Sequence, residues 1–146
     1  MEKFHGKVII QTYNPDNFTI ICSKEQDYER FYKAEINMRK QLKYPPFCDI
    51  ILFSVISASE VEIIKSVKFI YEDLIRNLAN IAIVYRPQPY PIDKIKNIYR
   101  WRIIIKCKFG NNIINLLNKV SDNFQNNKKK FSNTNISIDV NPNNFQ

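Results

Sequence analysis

Apolar and polar positions change period several times along this chain, and each change marks an element. Residues 6–13, Gly-Lys-Val-Ile-Ile-Gln-Thr-Tyr, are β-branched and aromatic-rich and read as a strand, stopped at Asn14-Pro15-Asp16. Ser23 with Gln26 has the form of a capping box. Tyr28, Phe31, Tyr32, Ile36 and Leu42 then recur at helical spacing, which predicts one helix from Ser23 to about Lys43. Tyr44-Pro45-Pro46-Phe47 ends it, because two prolines cannot continue a helix.

From Phe47 the period shortens. Phe47 to Ser57 is a mostly apolar strand, and Ser59-Glu60-Val61-Glu62 is a second capping box. The helix it opens sets Ile63, Ile64, Val67, Ile70, Tyr71, Leu74 and Leu78 on one side. Ile81 to Arg86 is a strand, and Pro87, Pro89 and Pro91 keep the next residues extended, near polyproline II. Tyr99 to Lys108 is a third strand, closed by Gly110. Ile113, Leu116, Leu117, Val120 and Phe124 make a second amphipathic helix, Asn126 to Lys130 a basic exit, and Ile136 to Val140 a last strand ended by Asn141-Pro142.

The order after Tyr44 is therefore β-α-β-β-α-β. Both helices carry a single apolar face, so both cover one side of a four-stranded antiparallel sheet: a ferredoxin-like α+β sandwich whose other face is open. Residues 1–43, a strand and a helix, do not fit that unit and read as the end of something else. Residues 44–146 form the domain proper.

Composition adds limits. With 146 residues, 45% of them hydrophobic, the chain can bury a core and is not a disordered tail. Only two glycines occur, which excludes the glycine-rich phosphate loops of nucleotide-binding proteins. Cys22, Cys48 and Cys107 are odd in number and far apart, and indicate neither a disulfide framework nor a zinc site. No apolar run approaches the roughly 18 residues of a membrane span, and the first six residues lack a signal core. These features suit a soluble cytoplasmic protein. The one histidine, His5, has no evident partner, and no catalytic or metal-binding spacing is present. Glu60/Glu62 and Glu72/Asp73 read as solvated helix charge, and Asp139 as a lone acid in a strand. The chain by itself is not expected to be an enzyme.

Charge changes the picture most. The formal net charge is +8 and the pI about 9.4. Between Arg86 and Lys108 lie seven basic residues (Arg86, Lys94, Lys96, Arg100, Arg102, Lys106 and Lys108) and one acid, Asp93. Strand alternation in the third strand separates Tyr99, Trp101, Ile103, Ile105 and Cys107 from Arg100, Arg102, Ile104, Lys106 and Lys108. The first set, Trp101 included, suits the helix-covered core. The second is a cationic stripe on the open face, able to follow a phosphate backbone. Lysine and arginine on an exposed strand also serve simply to keep it soluble and unpaired. Lys128-Lys129-Lys130 reads as a solvated loop. Pro87-Gln88-Pro89-Tyr90-Pro91 reads as a stiff connector, with docking on a partner's aromatic groove as the alternative.

Several stretches together resemble the C-terminal end of the replication-restart helicase family PriA (primosomal protein N′). Residues 6–15 are similar to the closing strand of the family's second helicase lobe. Asp27-Tyr28-Glu29 through Arg39, Leu42 and Tyr44-Pro45-Pro46-Phe47 resemble its following helix and Y-P-P-F turn. Tyr99-Arg100-Trp101-Arg102 and Ile138-Asp139-Val140-Asn141-Pro142 resemble its last strands, although the family usually has an acid where Asn141 stands. The resemblance implies an S10-like C-terminal domain that binds DNA at forks, D-loops and single strands, within a primosome. It also implies contact with single-stranded-DNA-binding protein (SSB), whose acidic tail is the competing occupant for the same cations. ATP and zinc are implied only for upstream helicase parts, and no cofactor for this chain. On this reading residues 1–43 are a remnant of helicase lobe 2 with its connecting helix. Arg100, Arg102, Lys106 and Lys108 are the expected phosphate contacts, extended by Arg86, Lys94 and Lys96.

Overall fold

A computed structural model describes residue 6 and residues 8–143. The chain divides into two compact units, Met1–Gln41 and Leu42–Gln146.

In the first unit, Val8 to Tyr13 form no strand, contrary to expectation. Val8 is 87% exposed and Ile9 81%: among the described residues the β-branched run has no neighbouring strand to accept its backbone hydrogen bonds. The expected single helix is two, α1 (Phe18–Glu25) and α2 (Tyr28–Leu42). Asn17, not Ser23, caps α1, its Oδ1 accepting from the Thr19 N–H at 2.9 Å. Ser23 lies inside the helix and donates to the Thr19 carbonyl, while Gln26 takes a left-handed conformation (φ 55°) that stops it. Asp27 then caps α2 by accepting from Arg30 N. His5 and Lys7 lie outside the described residues.

The second unit is an antiparallel sheet with two helices. Its elements are β1 (Asp49–Ser57), α3 (Glu60–Leu78), β2 (Ala82–Val84), β3 (Gln88–Ile95), β4 (Ile98–Cys107), α4 (Asn111–Asn126) and β5 (Thr134–Val140). The strand order is β2-β4-β1-β5, with β3 also paired to β4. This is the expected α+β sandwich with one strand more. The proline-rich segment is that strand, not a polyproline connector: Gln88 pairs with Arg102 and Ile95 with Ile98, with a bulge between. Lys96 and Asn97, both at positive φ, form the tight turn of the β3–β4 hairpin.

The core forms as the alternation predicts. Ile51, Phe53 and Val55 of β1 and Ile103 and Ile105 of β4 pack with Ile63, Val67, Ile70, Leu74 and Leu78 of α3 and Ile113, Leu117, Val120 and Phe124 of α4. Tyr99 and Trp101 are half-buried against it, as their register requires. Ile64, expected on the packed side of α3, is 53% exposed. The buried stripe instead takes in Asp73, read from sequence as solvated charge and only 6% exposed. Asn123 of α4 donates to its Oδ2 at 2.9 Å and Asn77 to its Oδ1 at 3.0 Å, so the carboxylate stitches the two helices together.

Ser59 caps α3 as expected, its Oγ accepting from Glu62 N. The Glu62 side chain does not return to close the box. It accepts from Asn133 N (2.8 Å), Asn133 Nδ2 (3.1 Å) and Thr134 Oγ1 (2.9 Å), tying the start of α3 to the start of β5. Burial works to raise the Glu62 pKa, but these bonds and the nearby Lys128 charge outweigh it and hold the carboxyl below its ordinary value.

Candidate nucleic-acid interface

The face of the sheet away from the helices is built from alternate residues of three strands. Register places Arg100 beside Ile56, Arg102 beside Ser54, Ile104 beside Leu52, and Lys106 beside Ile50. Arg100 and Arg102 thus share one face, as alternation predicts, and the β1 residues next to them carry no charge.

The face is not open along its whole length. Ile50 (1% exposed), Leu52 (4%) and Lys106 (7%) are buried on it. The Lys106 ammonium donates to the Leu42 carbonyl at 3.0 Å and sits 3.7 Å from the Tyr44 ring centroid and 5.5 Å from that of Tyr85. Lys106 therefore faces the predicted side but is held inside the domain.

Tyr90, arriving on β3, lies over the two arginines. Its ring centroid is 4.4 Å from Arg100 Cζ and 5.3 Å from Arg102 Cζ, and its hydroxyl is 2.7 Å from Ser54 Oγ on β1. Arg100 and Arg102 are both half-buried residues, and the Arg102 Nε is itself buried. The Tyr90 contact limits the rotamers of both side chains. Tyr90 carried no signal beyond its place in the proline-rich run; only the pairing of β3 brings it here.

The other predicted cations scatter. Arg86 and Lys108 are exposed. Lys94 pairs with Tyr99, so it stands on the helix side of the sheet; its Nζ donates to the Tyr99 hydroxyl, which donates to Glu60 Oε2 at 3.0 Å. Lys96 sits in the hairpin turn. The stripe thus reduces to Arg100 and Arg102, with Arg86 and Lys108 solvent-facing beyond them.

A cleft of about 640 Å³ lies at the end of β4, lined in part by Lys43, Lys106, Lys108, Phe47, Ile81 and Ile83. Asp49 also lines it, but both its oxygens are engaged, by Asn141 Nδ2 and by Phe109 N. Those two bonds hold the Asp49 carboxyl below the usual range. Cys48 and Cys107 line the cleft as well, and burial pushes both thiols up, Cys107 to about 11.

The family model described as the primosomal protein N C-terminal domain matches residues 40–143. The chain belongs to that family. The match takes in every strand of the sheet and both helices packed on it. Among curated relatives, replication restart protein PriA of Bacillus subtilis is 32% identical over 94% of this chain. The PriA proteins of Synechocystis (33% over 69%) and Borreliella burgdorferi (32% over 92%) are similar to it as well. The chain spans about a fifth of their length or less: 17%, 12% and 20% respectively. What it shares with the primosomal protein N family is thus the C-terminal domain. Among the described residues, no helix is long and apolar enough to cross a membrane.

Proposed function

We propose that residues 44–146 are a DNA-contacting domain of a replication-restart protein of the bacterial cytoplasm, acting at forks and single strands and without catalysis or a cofactor of its own. The observation that carries this reading is the Arg100–Arg102 pair, pre-set on one sheet face by Tyr90 in a chain of net charge +8. Arg86 and Lys108 extend the surface. Lys94, Lys96 and Lys106 are left out of it, because of the face, the turn and the burial they occupy. The test is fluorescence anisotropy with single-stranded and forked oligonucleotides at low and raised salt. Binding that weakens steeply with salt supports the reading, and absence of binding at low salt overturns it.

The cleft favours a second reading, a docking site for the acidic, apolar tail of SSB. Lys43 and Lys108 stand beside Phe47 (46% exposed), Ile81 (42%) and Ile83 (45%), a combination that suits such a peptide. A tail peptide that binds without displacing DNA would assign the two ligands to separate surfaces. For residues 1–43 we propose the role of a strand and connector belonging to a larger sheet in a longer protein. The exposed, unpaired run Val8 to Tyr13 supports it. Hydrogen exchange should then be fast there and slow from β1 onward; equal protection would overturn it.

A further inference from the structure

Two tyrosines on the same surface have a different character from Tyr90. Tyr90 is half-buried, with its hydroxyl engaged and its ring packed against two guanidiniums. Tyr85 is 44% exposed and Tyr44 36% exposed, yet each ring is anchored by the same buried ammonium, that of Lys106. The cation is fixed in turn by the Leu42 carbonyl. Each ring is thus held by the ammonium of a buried residue, while part of the tyrosine stays in water. Ile83, the β2 partner of Lys106 in register, continues this exposed apolar surface.

Exposed cations adjoin these tyrosines in sequence: Arg86 follows Tyr85 and Lys43 precedes Tyr44, while Arg100 and Arg102 share the sheet face with Lys106. Anchored aromatic rings interleaved with exposed cations are what an unpaired strand needs, because bases stack on the rings while phosphates meet the charges. Bases inside a duplex are already stacked and present only edges and backbone. We infer that this face binds unpaired nucleic acid by base stacking on Tyr85 and Tyr44, and that these two residues determine its preference for single strands over duplex. The inference rests on the proposed DNA-contacting function and names the part of the DNA that is read.

The test compares a fluorescent oligothymidylate of about 16 nucleotides with an abasic strand of equal length and charge and with a blunt duplex, using the full chain at low salt. The thymidylate should bind tightest. Tyr85→Ala should weaken it roughly 5- to 150-fold, the range for losing one stacked base, and leave the abasic strand unaffected. Tyr85→Trp should retain the preference. The wild-type comparison needs no variant to fold. Equal, salt-sensitive affinity for the thymidylate and the abasic strand would overturn stacking while leaving phosphate contact standing. Binding to none of the three would overturn both.

Discussion

The salt dependence of DNA binding gives the sharpest test of which cations form the surface. Seven basic residues lie between Arg86 and Lys108, but register places only Arg100 and Arg102, both half-buried, on the face away from the helices, and the exposed Arg86 and Lys108 are the further contacts of the proposed surface. Each phosphate contact on a single strand contributes about −0.7 to the slope of log affinity against log salt, so four contacts predict a slope of about −2.8. Raising salt about fourfold should then weaken binding about 50-fold. Arg102→Ala should lower that loss to about 20-fold, and the double change Arg100→Ala, Arg102→Ala to about 7-fold. Lys106→Met should leave the slope unchanged, because its ammonium is buried and bonded to Leu42. Its effect should fall on stability, about 1–3 kcal/mol, through the orphaned carbonyl and the lost charge between two rings. Lys94→Ala should also leave the slope alone, since that side chain stands on the helix side with Tyr99 and Glu60. Anisotropy titrations at four or five salt concentrations read the slope, and urea unfolding reads stability separately. A Lys106→Met or Lys94→Ala protein whose slope flattens as much as that of Arg102→Ala would refute this account of the surface.

Three further outcomes follow from the fold. Asp73→Ala should cost about 1–3 kcal/mol in urea unfolding, because it removes the acceptor of the Asn123 amide between the two helices while Asn77 keeps its bond to the residue 73 carbonyl, whereas Glu72→Ala on the exposed side should change stability by less than about 0.5 kcal/mol. Asp49 and Glu62 both have folded pKa values below their unfolded ones, so the stability they lend is present above about pH 5 and is lost as pH falls through the folded values; Asp49→Asn with Glu62→Gln should flatten the urea midpoint between about pH 5 and 3. The Cys107 thiol, 6% exposed and pushed up to about 11, should resist iodoacetamide at pH 8 in the folded protein and react at once in urea; rapid labelling of the folded chain would contradict its burial.

Much of this was legible because periodicity is local. The apolar faces of α3 and α4 and the two faces of β4 depend on residues three, four or two positions apart, so counting along the chain finds them. The same local alternation turned Trp101 toward the core, against which it is half-buried, and put Arg100 and Arg102 on one face. Asp73 carried a signal too, since it falls three residues after Ile70 and next to Leu74. Its partner Asn123 lies 50 residues on, so nothing nearby marked the charge as buried rather than solvated. Val8 to Tyr13 misled for the converse reason: strand propensity is a preference for a pleated surface, and among the described residues of their unit no partner strand supplies one.

The proposed binding face is where sequence and tertiary structure part. The sequence by itself determined the sign of the surface, the strand that carries it and the side from which its arginines project. Only the tertiary structure decided which cations meet solvent. Lys106 is covered by a carbonyl 64 residues away in the chain, Lys94 was turned to the other side by the pairing of a strand that its prolines disguised, and Tyr90 was laid across the arginines by that same strand. Side-chain direction along a strand follows from backbone geometry and needs only the neighbouring residues. Solvent access depends on what distant segments bring over that side chain, and this is settled when the strands pair and the chain closes on itself.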